Sequence, residues 1–148
     1  DLAAALAEMK RVLKPEGTIA AYVWDYAGEM EFLRIFWDTV VELDPAAASL
    51  DEGNRFPICN PTRLEAAFQD ALLQEIQSGY LVTTTRFLNF DDYWNPFLGG
   101  QGPAPSYLGS LSVERQTELR ETIREKLPVE SDGSIRLTAR AIAIRGKL

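Results

Sequence analysis

The sequence predicts one domain of the α/β class, and three observations predict it. Thr18 to Trp24 is a nearly unbroken apolar run that follows an amphipathic helix through a short Pro-Gly turn, as in a βαβ-type unit. Gln74 to Leu88 is rich in Thr, Val, Ile, Tyr and Phe, the residues of a strand. Ser134 to Arg145 alternates, with Ile135, Leu137, Ala139, Ala141 and Ala143 on one face.

The first helix is written by Leu2, Leu6, Met9 and Leu13, spaced as one apolar stripe. Lys10, Arg11 and Lys14 suit its negative end, and Pro15 and Gly17 stop it. The Thr18–Trp24 strand is apolar at every second residue and between, so cover is expected on both faces. Residues 30–43 read as a second helix along Phe32, Phe36, Val40 and Leu43, and residues 44–57 read as irregular. Asn60-Pro61 is an N-cap followed by proline in the first turn, opening a helix striped by Leu64, Phe68 and Leu72. A short helix is expected over 91–98. Three glycines and two prolines make 99–107 a mobile loop. Ser112 caps a helix striped by Leu119, Ile123 and Leu127, which Pro128 ends, and Asp132-Gly133 turns into the last strand.

Composition excludes several functions. A net charge of -7 argues against nucleic acid and against anionic membrane as partners. No apolar run is long enough to span a bilayer, and no segment reads as a signal peptide, so a cytoplasmic location is expected. The chain has one cysteine, Cys59, and no histidine. That leaves no internal disulfide, no zinc set and no Ser-His-Asp triad, so any general base is Asp, Glu, Lys or Tyr.

Three segments carry a resemblance. Ala7-Glu8-Met9-Lys10-Arg11-Val12-Leu13-Lys14-Pro15-Glu16-Gly17 resembles the helix end before the fifth strand of class I S-adenosylmethionine-dependent methyltransferases. Glu16 stands where that family commonly has glycine. Arg63-Leu64-Glu65-Ala66-Ala67-Phe68-Gln69-Asp70-Ala71-Leu72-Leu73 resembles the helix before its sixth strand, with Leu72 at the expected glycine. Thr138-Ala139-Arg140-Ala141-Ile142-Ala143-Ile144-Arg145-Gly146 resembles its closing strand. The resemblance implies the C-terminal part of a Rossmann-like methyltransferase fold, a three-stranded mixed sheet whose last strand lies antiparallel between the other two. It also implies S-adenosylmethionine as the cofactor of the complete protein, with no metal, and a small-molecule substrate.

The family binds its cofactor through a glycine-rich loop after the first strand and an acidic residue after the second. Neither is found here: Gly99-Gly100-Gln101-Gly102 has no strand before it. The expectation is therefore a portion lacking the cofactor-binding half, inactive alone, with substrate-side elements only. Ligands of open α/β sheets sit beyond the carboxyl ends of the strands. That edge holds Trp24, Asp25 and Tyr26. In the functional reading Trp24 and Tyr26 wall a pocket and Asp25 orients or deprotonates the methyl acceptor; in the plain reading they pack and turn the chain. Tyr93, Trp94 and Phe97 are either an aromatic lid or satellite core. Arg55 and Phe56 border the substrate in resembling proteins, and Cys59 has no flanking base to activate it.

Two alternatives stand beside this reading: a non-catalytic fragment that acts by association, and an unrelated α/β small-molecule-binding domain. An exposed edge of the Thr18–Trp24 strand would favour pairing with a second copy as a homodimer.

Overall fold

The computed structural model describes all residues from Asp1 to Leu148. Asp1 caps the first helix, α1 (Leu2–Val12), by accepting from the Ala4 N–H. Only Leu6 of this helix is buried; Leu2 and Met9, expected on the inner stripe, are exposed, and Lys10 reaches the Ala71 carbonyl instead. The Lys14-Pro15-Glu16-Gly17 turn follows. Glu16, not Gly17, takes the left-handed conformation, at φ 64°. Gly17 answers a different need, because a Cβ there would lie 2.6 Å from Leu13 Cδ2.

The strand β1 (Thr18–Trp24) alternates: Ile19 is buried, Ala21 and Val23 half-buried, and Thr18, Ala20, Tyr22 and Trp24 exposed. The expected cover on both faces is thus present on one. α2 (Glu31–Leu43) buries Phe36, Trp37, Thr39 and Val40. The irregular segment of the sequence reading is a 3₁₀ turn (Pro45–Leu50), begun by Asp44 accepting from Ala46, and a short α3 (Glu52–Arg55) capped by Asp51. α4 (Pro61–Asp70) opens as expected, with Asn60 accepting from the Arg63 N–H. Its stripe ends differently. Leu72 turns left-handed at φ 58° and is exposed, while Leu73 takes the buried place.

β2 (Gln74–Phe87) leads to α5 (Phe90–Trp94) and a second 3₁₀ turn (Asn95–Gly99). The expected loop at 99–107 is shorter than predicted. Gly100 and Gly102, both left-handed, turn the chain, and α6 (Pro103–Ser110) starts at a proline, which suits a first helical position. α7 (Val113–Lys126) is capped by Ser112, and β3 (Ile135–Lys147) closes the chain.

The sheet order is β1-β3-β2, with β3 in the middle as expected. β1 and β3 are antiparallel, pairing Thr18 with Lys147 through Trp24 with Ala141. On the other side Glu75 meets Lys147, Gln77 meets Arg145 and Tyr80 meets Arg140, so β2 also runs opposite to β3. β3 is therefore antiparallel to both neighbours, as the resemblance implied, which makes the three strands an antiparallel sheet and not the mixed one expected. The expected single apolar face of β3 also changes partway. Ile135, Leu137, Ala139 and Ala141 are buried, then Ile142, Ile144 and Gly146, with Ala143 half-buried.

The chain forms two compact units. One comprises Asp1–Asp25, Pro57–Leu81 and Arg140–Leu148; the other Tyr26–Phe56 and Val82–Ala139. The first packs around Leu6, Ile19, Leu64, Phe68, Leu73, Ile142 and Ile144. The second packs around a larger cluster that includes Phe36, Trp37, Tyr93, Phe97, Ile123 and Leu137.

Candidate functional site

The sequence places Asp25 immediately after β1, and the structure gives it a partner. Arg140, in β3, donates from Nε to Asp25 Oδ2 at 2.6 Å, and its Nη2 lies 2.6 Å from the same oxygen. Both side chains are largely buried, so the ion pair is screened less than a surface pair would be. The Asp25 N–H also donates to the Arg140 carbonyl at 3.0 Å. The Arg140 guanidinium stacks over the Tyr80 ring, 4.3 Å from its centroid. Trp24 beside it is 39% exposed.

Cys59 belongs to the same unit and is half-buried. Burial, and then the charge of Asp25, push its thiol above the usual range. A thiol so disfavoured as thiolate is a poor nucleophile, in line with the sequence reading. Arg140 and Tyr80 were missed by sequence reasoning. The available signal was an arginine inside an otherwise apolar stretch, Ala139-Arg140-Ala141-Ile142.

The other predicted residues lie in the second unit. Tyr26 and Phe56 are brought together, with ring centroids 5.8 Å apart, and the Arg55 guanidinium lies 5.7 Å from the Phe56 centroid. Arg55 also lines an open hollow of about 490 Å³ with Leu50, Pro103, Ser106 and Tyr107. The segment carrying Arg55 and Phe56 is held from below. Arg34 Nη2 donates to Asp51 Oδ2 at 2.7 Å, the indole of Trp37 donates to Glu52, and a Cβ at Gly53 would lie 2.8 Å from Arg34 Nη1.

Tyr93, Trp94 and Phe97 are packed inside the second unit. Phe97 stacks on Phe32 and Phe36 at 4.6 and 4.5 Å between centroids, and the Tyr93 hydroxyl donates to the Phe32 carbonyl at 3.0 Å. Burial pushes the Tyr93 phenol far up. Their surfaces are taken by other side chains, and none of the three presents a face to solvent.

No three His, Cys, Asp or Glu side chains gather as a metal site would need, and no helix is long and apolar enough to cross a membrane. No family model and no curated protein matches the sequence. Among solved structures, a candidate methyltransferase from Bacillus halodurans is similar at 14% identity and a TM-score of 0.45, over 98% of this chain. The chain spans 62% of that protein's length. A likeness at this level assigns neither activity nor ligand.

Proposed function

We propose that this chain is the substrate-side portion of a methyltransferase that uses S-adenosylmethionine and acts on a small-molecule acceptor. The observation that carries the reading is the position of β3. The resemblance implies a closing strand antiparallel between the strand after the Leu-Lys-Pro helix end and the strand before it in sequence, and β3 lies between β1 and β2.

The residues of this chain do not fit the cofactor. The glycines at 99–102 follow a 3₁₀ turn, not a strand, and two of them serve to turn the chain into α6. What the chain offers is on the acceptor side. Trp24 supplies an aromatic wall, and Asp25, oriented by Arg140, supplies a fixed carboxylate that accepts a hydrogen bond or proton from the group to be methylated.

Titration calorimetry separates the two halves of this reading. The chain alone is expected to show no binding heat with S-adenosylmethionine, and a micromolar dissociation constant, about -8 kcal/mol, would overturn the division of labour. A natural longer form should bind S-adenosylmethionine and transfer labelled methyl groups, with Asp25→Asn lowering turnover more than cofactor affinity. A longer form that fails to bind the cofactor sinks the methyltransferase reading itself.

A further inference from the structure

Asp51-Glu52-Gly53-Asn54-Arg55 offers Arg55 two local ion pairs, with Glu52 three residues back and with Asp51 four residues back. The structure makes neither. Asp51 accepts from Arg34 at 2.7 Å and caps α3, and Glu52 is buried, accepting from the Trp37 indole. Asp44, which begins the 3₁₀ turn before α3, accepts from the Tyr107 hydroxyl and the Ala46 N–H. The Arg55 side chain is left exposed, its guanidinium 5.7 Å from the Phe56 centroid.

Arg55 lines the open hollow of about 490 Å³ within the second unit, and no Asp or Glu lines it. A chain with 22 acidic residues thus keeps here a concave surface with a cation and no carboxylate. Leu50, Pro103 and the Tyr107 ring give it apolar walls, and Ser106 and Ser110 give it hydroxyls. Leu50 is 41% exposed. The volume falls within the roughly 300–1,000 Å³ of small-molecule sites. Both walls are fixed. Asn54 Nδ2 donates to the Ala48 carbonyl at 2.8 Å, tying α3 to the 3₁₀ turn. The Tyr107 ring lies 5.9 Å from that of Trp37, and its hydroxyl holds Asp44, which sets α6 against α2. The start of α6 adds few donors, because Pro103 and Pro105 take two of its first three positions. The charge of the hollow is that of Arg55.

We propose that this hollow binds a small organic monocarboxylate with an apolar body. The carboxylate lies on the Arg55 guanidinium, beside the Ser106 hydroxyl, and the body lies along Leu50, Pro103 and Tyr107. The arginine fork matches the two oxygens of a carboxylate. A single negative charge suits the hollow better than a phosphate dianion, because one cation meets the ligand and a net charge of -7 opposes each further anionic group. An amine would face Arg55 with like charge. This inference rests on the second unit alone and does not depend on the methyltransferase reading.

Titration of the isotope-labelled chain with octanoate, followed by amide NMR, tests this. Saturable shifts are expected at Leu50, Arg55, Ser106 and Tyr107. Octanol, which has the same body without the charge, should bind about tenfold more weakly, and so should octanoate to Arg55→Gln, the loss of one charge-assisted hydrogen bond. Ser106→Glu sets a carboxylate into the hollow and should weaken octanoate as well. Both substitutions are at exposed side chains, and unmoved signals elsewhere show that the variants fold. Arg63→Gln removes an exposed cation from α4, in the other unit, and should leave the affinity as it is. Absence of saturable shifts at these residues would overturn the proposal. So would octanol binding as tightly as octanoate, an Arg63→Gln loss equal to that of Arg55→Gln, or inorganic phosphate displacing octanoate at equal concentration.

Discussion

The two units of this chain treat their apolar residues differently. Residues 26–56 and 82–139 bury sixteen apolar side chains in one cluster, many of them aromatic. Residues 1–25, 57–81 and 140–148 gather seven in theirs, and leave Met9, Val12, Tyr22 and Leu81 exposed. The second unit holds the larger core and also leaves apolar side chains exposed, Val82, Leu88, Leu98 and Val113 among them. The first holds the smaller core, and its exposed apolar side chains include Tyr22 and Trp24 on β1 and Met9 and Val12 on α1.

The sharpest way to break this contrast is a pair of truncations. Phe97 is buried between Phe32 and Phe36. Phe97→Ala should cost about 3–5 kcal/mol, a large share of the roughly 5–15 kcal/mol that holds a typical domain. Tyr22→Ala, at an exposed position of the first unit, should change stability by no more than about 0.5 kcal/mol. Urea unfolding of both variants decides it. Equal losses would mean that the exposed strand face is as much part of the core as the aromatic cluster.

A somewhat smaller effect is expected at Asp51. Its carboxylate accepts from Arg34, and both side chains are largely buried. It also caps α3 by accepting from the Gly53 N–H at 2.8 Å. Asp51→Ala would leave the Arg34 guanidinium with only the exposed Asp38 carboxylate, 3.7 Å away, at a cost of about 3 kcal/mol. Double substitution with Arg34→Met should recover much of that loss. If the double variant is as unstable as the single, the pair is not what holds the segment bearing Arg55 and Phe56.

How much of this was legible in the sequence depends on whether local or distant partners decide a residue's place. Helix starts were legible at Asn60 and Ser112, because a cap and the N–H that donates to it are three residues apart. The strand at Thr18–Trp24 was legible from its residue types, with both ends correct. Its open face was not, because cover depends on what else the chain supplies. The aromatic cluster at Tyr93, Trp94 and Phe97 was visible as a cluster, but only the packing of Phe32 and Phe36 against it places it inside. The partner of Asp25 lies 115 residues away, at a separation no local pattern encodes. α6 was hidden by composition: Gly100, Gly102 and Pro103 look like a loop and are the start signal of a helix.

Two non-glycine residues in left-handed backbone give a prediction in the stabilising direction. Glu16 and Leu72 both sit in the left-handed region, at φ 64° and 58°. That conformation costs an L-residue roughly 1–2 kcal/mol, and glycine's greater freedom in the unfolded chain returns about 0.5–1 kcal/mol of this. Leu72 is 74% exposed, so its side chain adds little burial. Leu72→Gly and Glu16→Gly should each raise stability by about 0.5–1 kcal/mol. A loss at Leu72 would show that its side chain takes part in a contact of the first unit.

The smallest effect expected is a pH dependence in the second unit. The Tyr107 hydroxyl donates to Asp44 Oδ2 at 3.0 Å. Partial burial, then this hydrogen bond and the charge of Asp44, push the phenol from its ordinary 10.0 to about 12, with Arg115 opposing. The folded chain therefore holds this proton more tightly than the unfolded chain does. Its contribution to stability is whole below pH 10 and drains away as the pH rises towards 12. Because the side chain is largely open to solvent, the slope should be shallow. Tyr107→Phe removes the titrating group and should flatten the fall of the denaturation midpoint between pH 10 and 12 relative to the parent chain. An unchanged slope would mean that the bond to Asp44 is not kept in solution. The 3₁₀ turn that Asp44 begins would then keep the Ala46 N–H on the carboxylate and the Ala47 N–H on the Asp44 carbonyl.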